Sequence, residues 1–171
     1  MPDGVLIVVA DEIKRQILIE AQSPMTTPLS KKLGIKRGTR SILIDAPTEV
    51  VRSIGLPNED VASKLAGEFG YIHVFVMHEA DLDTMFPKLK GHLAIGGMLW
   101  VSWPKGKPMG SNLTLKEIIG IGYGHGLVES KTISVDDTWS AIKFTFPKEG
   151  KQYNNSYGQL AKRNRQRVLS G

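Results

Sequence analysis

The 171-residue chain contains no cysteine, which excludes disulfide bonds, thiolate metal sites and cysteine nucleophiles. It also lacks a long hydrophobic run near its start: Val5 to Ala10 falls well short of the about 20 residues that a membrane-spanning helix needs. Asp3 precedes this run, where a signal peptide carries lysine or arginine. These absences fit a reducing compartment, and we predict a cytoplasmic location.

Several familiar catalytic and metal-binding motifs are missing as well. The sequence has no G-x-S-x-G elbow of a serine hydrolase, no G-x-x-x-x-G-K-[ST] phosphate loop and no H-E-x-x-H pair. His73 and His78 are five residues apart across a predicted strand end, which is poor geometry for two ligands of one metal. We therefore predict no metal site.

The positive charge is concentrated at the carboxyl end of the chain. The net charge is +5, and residues 151–171 carry five basic residues and no acidic one, so the rest of the chain is close to neutral. Such an end can attract polyanions through counterion release, or it can be a solvated tail. We predict a basic, disordered tail over residues 148–171, with weak polyanion binding as the alternative.

Ser23-Pro24 separates the first 24 residues from the rest of the chain. Within them, Val5 to Val9 is strand-like and Asp11 to Gln22 has helical spacing, but Met25 follows the break at once. Residues 1–24 are then either an extension upstream of a true start at Met25, or a strand and helix added to the domain. In both cases we predict a single α/β domain over residues 25–147.

Within that domain the sequence alternates strand and helix patterns. The apolar runs Ile42–Ile44 and Ile72–Val76 are typical of buried parallel strands, and helices are predicted between such runs. One of these helices, Glu79 to Leu93, contains Pro87, which should kink or split it. Two closing strands predict an antiparallel hairpin, so we expect a mostly parallel sheet with helices on both faces and one antiparallel strand.

The passage LKGHLAIGGMLWV, from Leu89 to Val101, resembles the helix–glycine–glycine–strand passage late in class I S-adenosylmethionine-dependent methyltransferases. Residues 26–146 are more closely similar to a small uncharacterised bacterial family, a domain of unknown function. That similarity rests on Thr27 to Gly34, Gly96 to Lys105 and Asp136 to Phe144. It implies a reduced Rossmann-like, class I methyltransferase-like fold and no assigned activity.

Two departures from methyltransferases concern the cofactor. Their first strand is followed by a glycine-rich turn, which lets backbone amides approach the ligand, whereas here the turn is Asp45-Ala46-Pro47 and proline lacks an N–H. Only about 25 residues separate Asp45 from Tyr71, too few for the two further strand–helix units of a full methyltransferase. We predict no cofactor, with S-adenosylmethionine as a disfavoured alternative.

Ligands of open α/β sheets bind beyond the carboxyl ends of the strands, which nominates the polar residues that follow predicted strands. Together they supply acid, imidazole, amine and indole groups, enough for acid–base chemistry or anion capture: Asp45, Glu49, His78, Ser102, Trp103 and Lys105. Each also has a structural interpretation. Glu49 would face solvent in a first helical turn, and Trp103 would pack at the rim beside a solvated Lys105.

Two functions remain open on these residues. We favour a non-catalytic binding or interaction module, with an unknown protein or small molecule as its partner. The alternative is a divergent, methyltransferase-like enzyme that holds a small molecule at the strand ends with Lys105 and either Asp45 or His78.

Overall fold

The computed structural model of the protein describes residues 28–56, 60–106 and 110–160. The elements predicted before Met25, and the choice between starts at Met1 and Met25, lie outside these ranges. None of the helices in the described ranges is long and apolar enough to cross a bilayer.

The described part of the chain forms four helices and six strands. The helices are α1 (Leu29–Leu33), α2 (Thr48–Ile54), α3 (Glu79–Gly91) and α4 (Leu115–Gly124). The strands are β1 (Ser41–Ile44), β2 (Val61–Ala62), β3 (Phe69–Phe75), β4 (Leu93–Pro104), β5 (Val128–Ser134) and β6 (Trp139–Thr145).

The six strands form one sheet in the order β2-β1-β3-β4-β6-β5. Strands β2, β1, β3 and β4 are parallel, β6 runs antiparallel to β4, and β5 runs antiparallel to β6. The predicted α/β class, with a mostly parallel sheet and an antiparallel carboxyl-terminal end, is confirmed.

Proline and glycine set the bounds of the two short helices. Both α1 and α2 follow a proline, Pro28 and Pro47, whose fixed φ suits the start of a helix. They end at Gly34 and Gly55, which take φ of 76° and 58°, a left-handed conformation that glycine adopts without strain. These ends bring the chain back into β1 and towards β2.

Helix α3 runs unbroken from Glu79 to Gly91, so the prediction that Pro87 could split it is wrong. Pro87 itself is exposed, while Phe86 and Leu89 on either side of it are buried in the core. Packing of this apolar face holds the helix together across the proline, because burial of large side chains outweighs one lost backbone hydrogen bond.

The helices cover both faces of the sheet, as predicted. On one face, α3 and α4 pack against β3 and β4 through side chains such as Leu82, Phe86 and Ile118. On the other face, α1 and α2 pack through Leu33 and Val50 against the aromatic residues of β3 and β4.

The strand order reverses direction at β1. From β1 the chain passes through α2 to β2 on one side, and then returns to β3 on the other side of β1. Because α2 and α3 lie on opposite faces, their starts diverge beyond the carboxyl ends of β1 and β3. Such a topological switch point is where open α/β sheets carry their ligand crevice.

Residues 148–160, part of the predicted tail, have defined contacts. Asn155 Nδ2 donates a hydrogen bond to Glu129 Oε1 at 2.7 Å, and Gly158 lies so close to Tyr123 that a Cβ on the glycine would be 2.8 Å from the tyrosine Cβ. This segment therefore packs beside α4. Residues 161–171, which carry most of the tail's charge, lie outside the described ranges.

Candidate functional site

An open crevice of about 500 Å³ lies at the switch point, beyond the carboxyl ends of β1 and β3. Its walls come from the residue after β1, the end of β3, the first two turns of α3 and the start of β6. The lining residues are Asp45, Phe75, Val76, Met77, His78, Asp81, Thr84, Met85 and Trp139. A second cleft of about 480 Å³ shares Asp45, Thr84 and Met85 with it and continues along β1.

One wall of the crevice is apolar and polarisable. The rings of Phe75 and Trp139 pack edge to face, with centroids 5.2 Å apart and planes at 79°. Half-buried Met77 and Met85 add thioether surface to this wall. Phe75 and Trp139 are 4% and 8% exposed, so only a small part of each ring reaches the crevice. Together with the thioethers, these exposed parts can contact the apolar body of a ligand.

Trp139 is held in the wall by the turn before it. The Asp136 carboxylate accepts hydrogen bonds from the backbone amides of Thr138 at 2.8 Å and Trp139 at 2.7 Å. Such side-chain-bonded turns are a common role of aspartate. The β5–β6 turn therefore fixes the position of the indole at the crevice.

The polar groups of the crevice are mainly acidic. Asp45 and Asp81 are exposed carboxylates that line it, and exposed His78 precedes α3. The first α3 amide, that of Glu79, already donates to Asn112 Oδ1 at 3.1 Å. Two carboxylates beside an aromatic wall suit an organic cation better than an anion.

Asp45 has the backbone conformation of a glycine. Its φ of 57° makes it the one non-glycine residue with positive φ in the described ranges. Aspartate tolerates this left-handed region better than most residues, although it carries some strain there. The turn after β1 thus keeps a glycine-like path and adds a carboxylate, which would repel the phosphates of a dinucleotide.

Of the six candidate residues from the sequence, Asp45 and His78 both line the crevice. Ser102 lies elsewhere, because it is fully buried between the sheet and the α1–α2 layer. Its Oγ is 2.6 Å from His73 Nε2, and His73 Nδ1 is 2.5 Å from the Tyr71 hydroxyl. A neutral imidazole satisfies both contacts, since each hydroxyl can donate or accept.

Burial controls the protonation of this hydrogen-bonded chain. It lowers the pKa of His73 to about 3 and raises the pKa of Tyr71 well above its usual value. The histidine is therefore neutral at physiological pH, and the three side chains serve as a polar link within the core. None of these three side chains lines the crevice.

The remaining candidates also lie outside the crevice lining. Trp103 packs in the core under α3 and α4, on the other face of the sheet from Trp139. Glu49 is exposed in the first turn of α2. Lys105 Nζ donates to Ser134 Oγ at 2.6 Å and to the Asp136 carbonyl, so it ties the end of β4 to the β5–β6 turn.

We expect Lys105→Met to lower the free energy of unfolding by about 1 kcal/mol, because it removes both hydrogen bonds to the turn. Urea denaturation measures the change. Lys64→Met is the matched control, since Lys64 is an exposed lysine in the loop after β2, and it should change stability by less than about 0.5 kcal/mol. Equal effects of the two variants on stability would contradict a stabilising role for the hydrogen bonds of Lys105.

Sequence reasoning missed several lining residues. Asp81 and Met85 follow His78 by three and seven residues, a helical spacing that places all three on one side of α3 and could have indicated them. Trp139 is more than 50 residues from Met85 in the sequence. Its place at the crevice depends on the pairing of Trp139 with Pro104 across β6 and β4.

The chain matches no protein-family model, and no curated protein matches it. Within the described ranges, no three histidine, aspartate or glutamate side chains are close enough to hold a metal ion.

Proposed function

We propose that the protein is a non-catalytic binding module that holds an organic cation in the crevice between β1 and β3. The observation that carries this proposal is the pairing of two carboxylates, Asp45 and Asp81, with the aromatic wall of Phe75 and Trp139. A quaternary or alkylated ammonium, a guanidinium or a sulfonium with an apolar body fits this chemistry, whether free or on a partner's side chain.

The state of the reactive groups supports binding without catalysis. Ser102 is buried and hydrogen-bonded to His73, and Lys105 is engaged with the hairpin turn. Among the described residues, the polar side chains that line the crevice are two carboxylates, an imidazole and the hydroxyl of Thr84. That hydroxyl donates to the Ala80 carbonyl at 2.8 Å and is not held beside a base.

The expected affinity is modest. Asp45 and Asp81 are exposed, so water and salt screen their attraction for a cation. Contact with the small exposed parts of the Phe75 and Trp139 rings adds at most about 1 kcal/mol. We expect dissociation constants in the range of about 10 μM to 1 mM for single small cations.

A divergent methyltransferase-like enzyme is the second candidate. The strand order reverses at β1, and β6, the last strand in the sequence, lies antiparallel between β4 and β5. This agrees with the reduced Rossmann-like, methyltransferase-like fold that the sequence resemblance implies. S-adenosylmethionine is itself a sulfonium, and the acidic crevice would attract its charge. This candidate requires methyl transfer to an acceptor as well as binding.

Isothermal titration calorimetry and thermal shift test the proposal with defined probes. Arginine amide, trimethyllysine amide and S-adenosylmethionine are the cations, and glutamate and ATP are the anions. We expect saturable stabilisation by one or more of the cations and none by the anions, because a ligand that binds only the folded state raises its stability. Stabilisation by the anions alone would contradict the proposal.

The residue-level test is Asp45→Asn, which keeps a residue tolerant of positive φ while it removes the charge. Because Asp45 is exposed, we expect the dissociation constant of the bound cation to rise about three- to fivefold, equivalent to about 1 kcal/mol or slightly less. Glu49→Gln is the matched control, because it removes an exposed carboxylate outside the crevice, and it should leave the constant within about twofold. Equal weakening would exclude a specific role of Asp45.

A further inference from the structure

A second surface of the protein carries five cationic side chains and shares no residue with the crevice lining. We call it the basic patch and define it as Lys31, Lys32, Arg37, Lys131 and Lys143. These residues come from α1, the turn that follows it, β5 and β6. All are exposed except Lys143, which is half-buried.

Contacts between the elements bring these cations together. Lys131 pairs with Lys143 in the β5–β6 register, so the two side chains extend from directly opposed positions. Lys131 Nζ also donates to the carbonyl of Lys32 at 2.9 Å, which places the hairpin cations against α1. The helix is fixed there because Trp100 Nε1 donates to the carbonyl of Leu33 at 3.1 Å.

Repulsion between the cations of the patch is not relieved by ion pairs within the described ranges. Like charges directly opposed across two strands are destabilising. Burial, and then repulsion by Lys131, lower the pKa of Lys143. None of the five cations forms an ion pair with a carboxylate of the described ranges.

The helix end explains only part of the arrangement. Cations near the last carbonyls of α1 are favourable, which accounts for Lys31, Lys32 and Lys131. It does not account for Lys143, whose direct neighbour in the register is another lysine. Several acidic residues, including Asp45, Glu49 and Asp81, lie instead at the carboxyl edge of the sheet.

We propose that the basic patch binds the phosphodiester backbone of a nucleic acid without reading its base sequence. An extended polyanion fits better than a single phosphate, because the cations are spread over a helix, a turn and a hairpin. The patch as defined contains no aromatic side chain, and Trp100 beneath it is fully buried, so the patch offers no ring for base stacking. This proposal is independent of the crevice and its ligand.

Fluorescence anisotropy of a labelled DNA duplex, titrated with the full-length chain at several salt concentrations, tests the patch. Each phosphate contact adds about 0.9 to the slope of log affinity against log salt. We therefore expect the double variant Lys131→Gln/Lys143→Gln to lose about 2 from that slope and to bind at least tenfold more weakly at low salt.

The matched control is Lys88→Gln/Lys116→Gln, which removes the same charge from α3 and α4 on the opposite face of the sheet. Its slope should equal that of the unmodified protein. Circular dichroism and thermal unfolding establish that all three proteins are folded, and Lys143→Gln alone should raise the melting temperature slightly because it removes the cross-strand repulsion.

Three outcomes would overturn the proposal. The first is an equal slope for both double variants, which would assign binding to net charge or to the basic residues of 161–171. The second is no binding of duplex by the unmodified chain at low salt. The third is binding of vesicles of phosphatidylcholine and phosphatidylserine without binding of duplex, which would assign the patch to a lipid surface.

Discussion

The free energy of unfolding is expected to fall by up to about 1.4 kcal/mol per pH unit below pH 6.5 because of one residue, His73. Burial lowers its pKa from 6.5 to about 3 in the folded protein. Between these values the unfolded chain binds a proton that the folded protein does not, so acid favours unfolding. The contribution of neutral, buried His73 to the stability of the folded protein is therefore complete above pH 6.5, and it is lost as the pH falls towards 3.

His73→Gln isolates this contribution, because glutamine can still bond to Ser102 or Tyr71 but does not titrate. Urea denaturation at pH 7, 5.5 and 4.5 should show a variant that is less stable at pH 7 and loses less stability on acidification. His78→Gln removes an exposed histidine and should keep the acid dependence of the unmodified protein. Parallel curves for His73→Gln and the unmodified protein would show that His73 is not buried and neutral.

Gly122→Ala should destabilise the protein by about 3 kcal/mol through a clash in the core. A Cβ on Gly122 would lie 2.1 Å from Cε1 and 2.6 Å from Cζ of Phe144. The Phe144 ring is fully buried and packs edge to face on Phe86, with centroids 5.6 Å apart. It cannot move without disturbing the layer between the sheet and α3.

Gly124→Ala is the matched control in the same helix. A Cβ there meets no atom within 4 Å, and alanine favours helix by up to about 1 kcal/mol over glycine. The two substitutions should therefore change the denaturation midpoint in opposite directions. Phe144→Leu should recover part of the stability lost in Gly122→Ala, and a similar small effect of both alanine variants would contradict this packing.

The sequence could predict the fold class because its signals are local. The apolar runs of β1 and β3 and the prolines and glycines that bound α1 and α2 each lie within a few residues of the element they define. The prediction that Pro87 could split its helix was wrong because the local effect of a proline is opposed by the burial of Phe86 and Leu89. That burial depends on the whole core, which the local sequence does not show.

The candidate site was harder to predict, because its contacts span distant parts of the chain. Lys105 follows β4, which ends at the same edge of the sheet as the crevice. Its ammonium, however, bonds to Ser134, which is 29 residues away in the sequence. Ser102 is buried, and its hydroxyl is hydrogen-bonded to His73, which is also 29 residues away in the sequence. Asp45 and His78 could be predicted from position alone, since the carboxyl ends of β1 and β3 adjoin through direct pairing.

Methyl NMR of methionine-labelled protein tests the central claim most directly, because two methionines line the crevice and a third lies elsewhere. Titration with arginine amide, trimethyllysine amide or S-adenosylmethionine should shift the methyl signals of Met77 and Met85 in a saturable manner. The signal of Met98, which lies 3.5 Å from the Cβ position of Gly34 near α1, should not move. Unchanged Met77 and Met85 signals with all three cations, or a shift confined to Met98, would contradict a cation-binding crevice between β1 and β3.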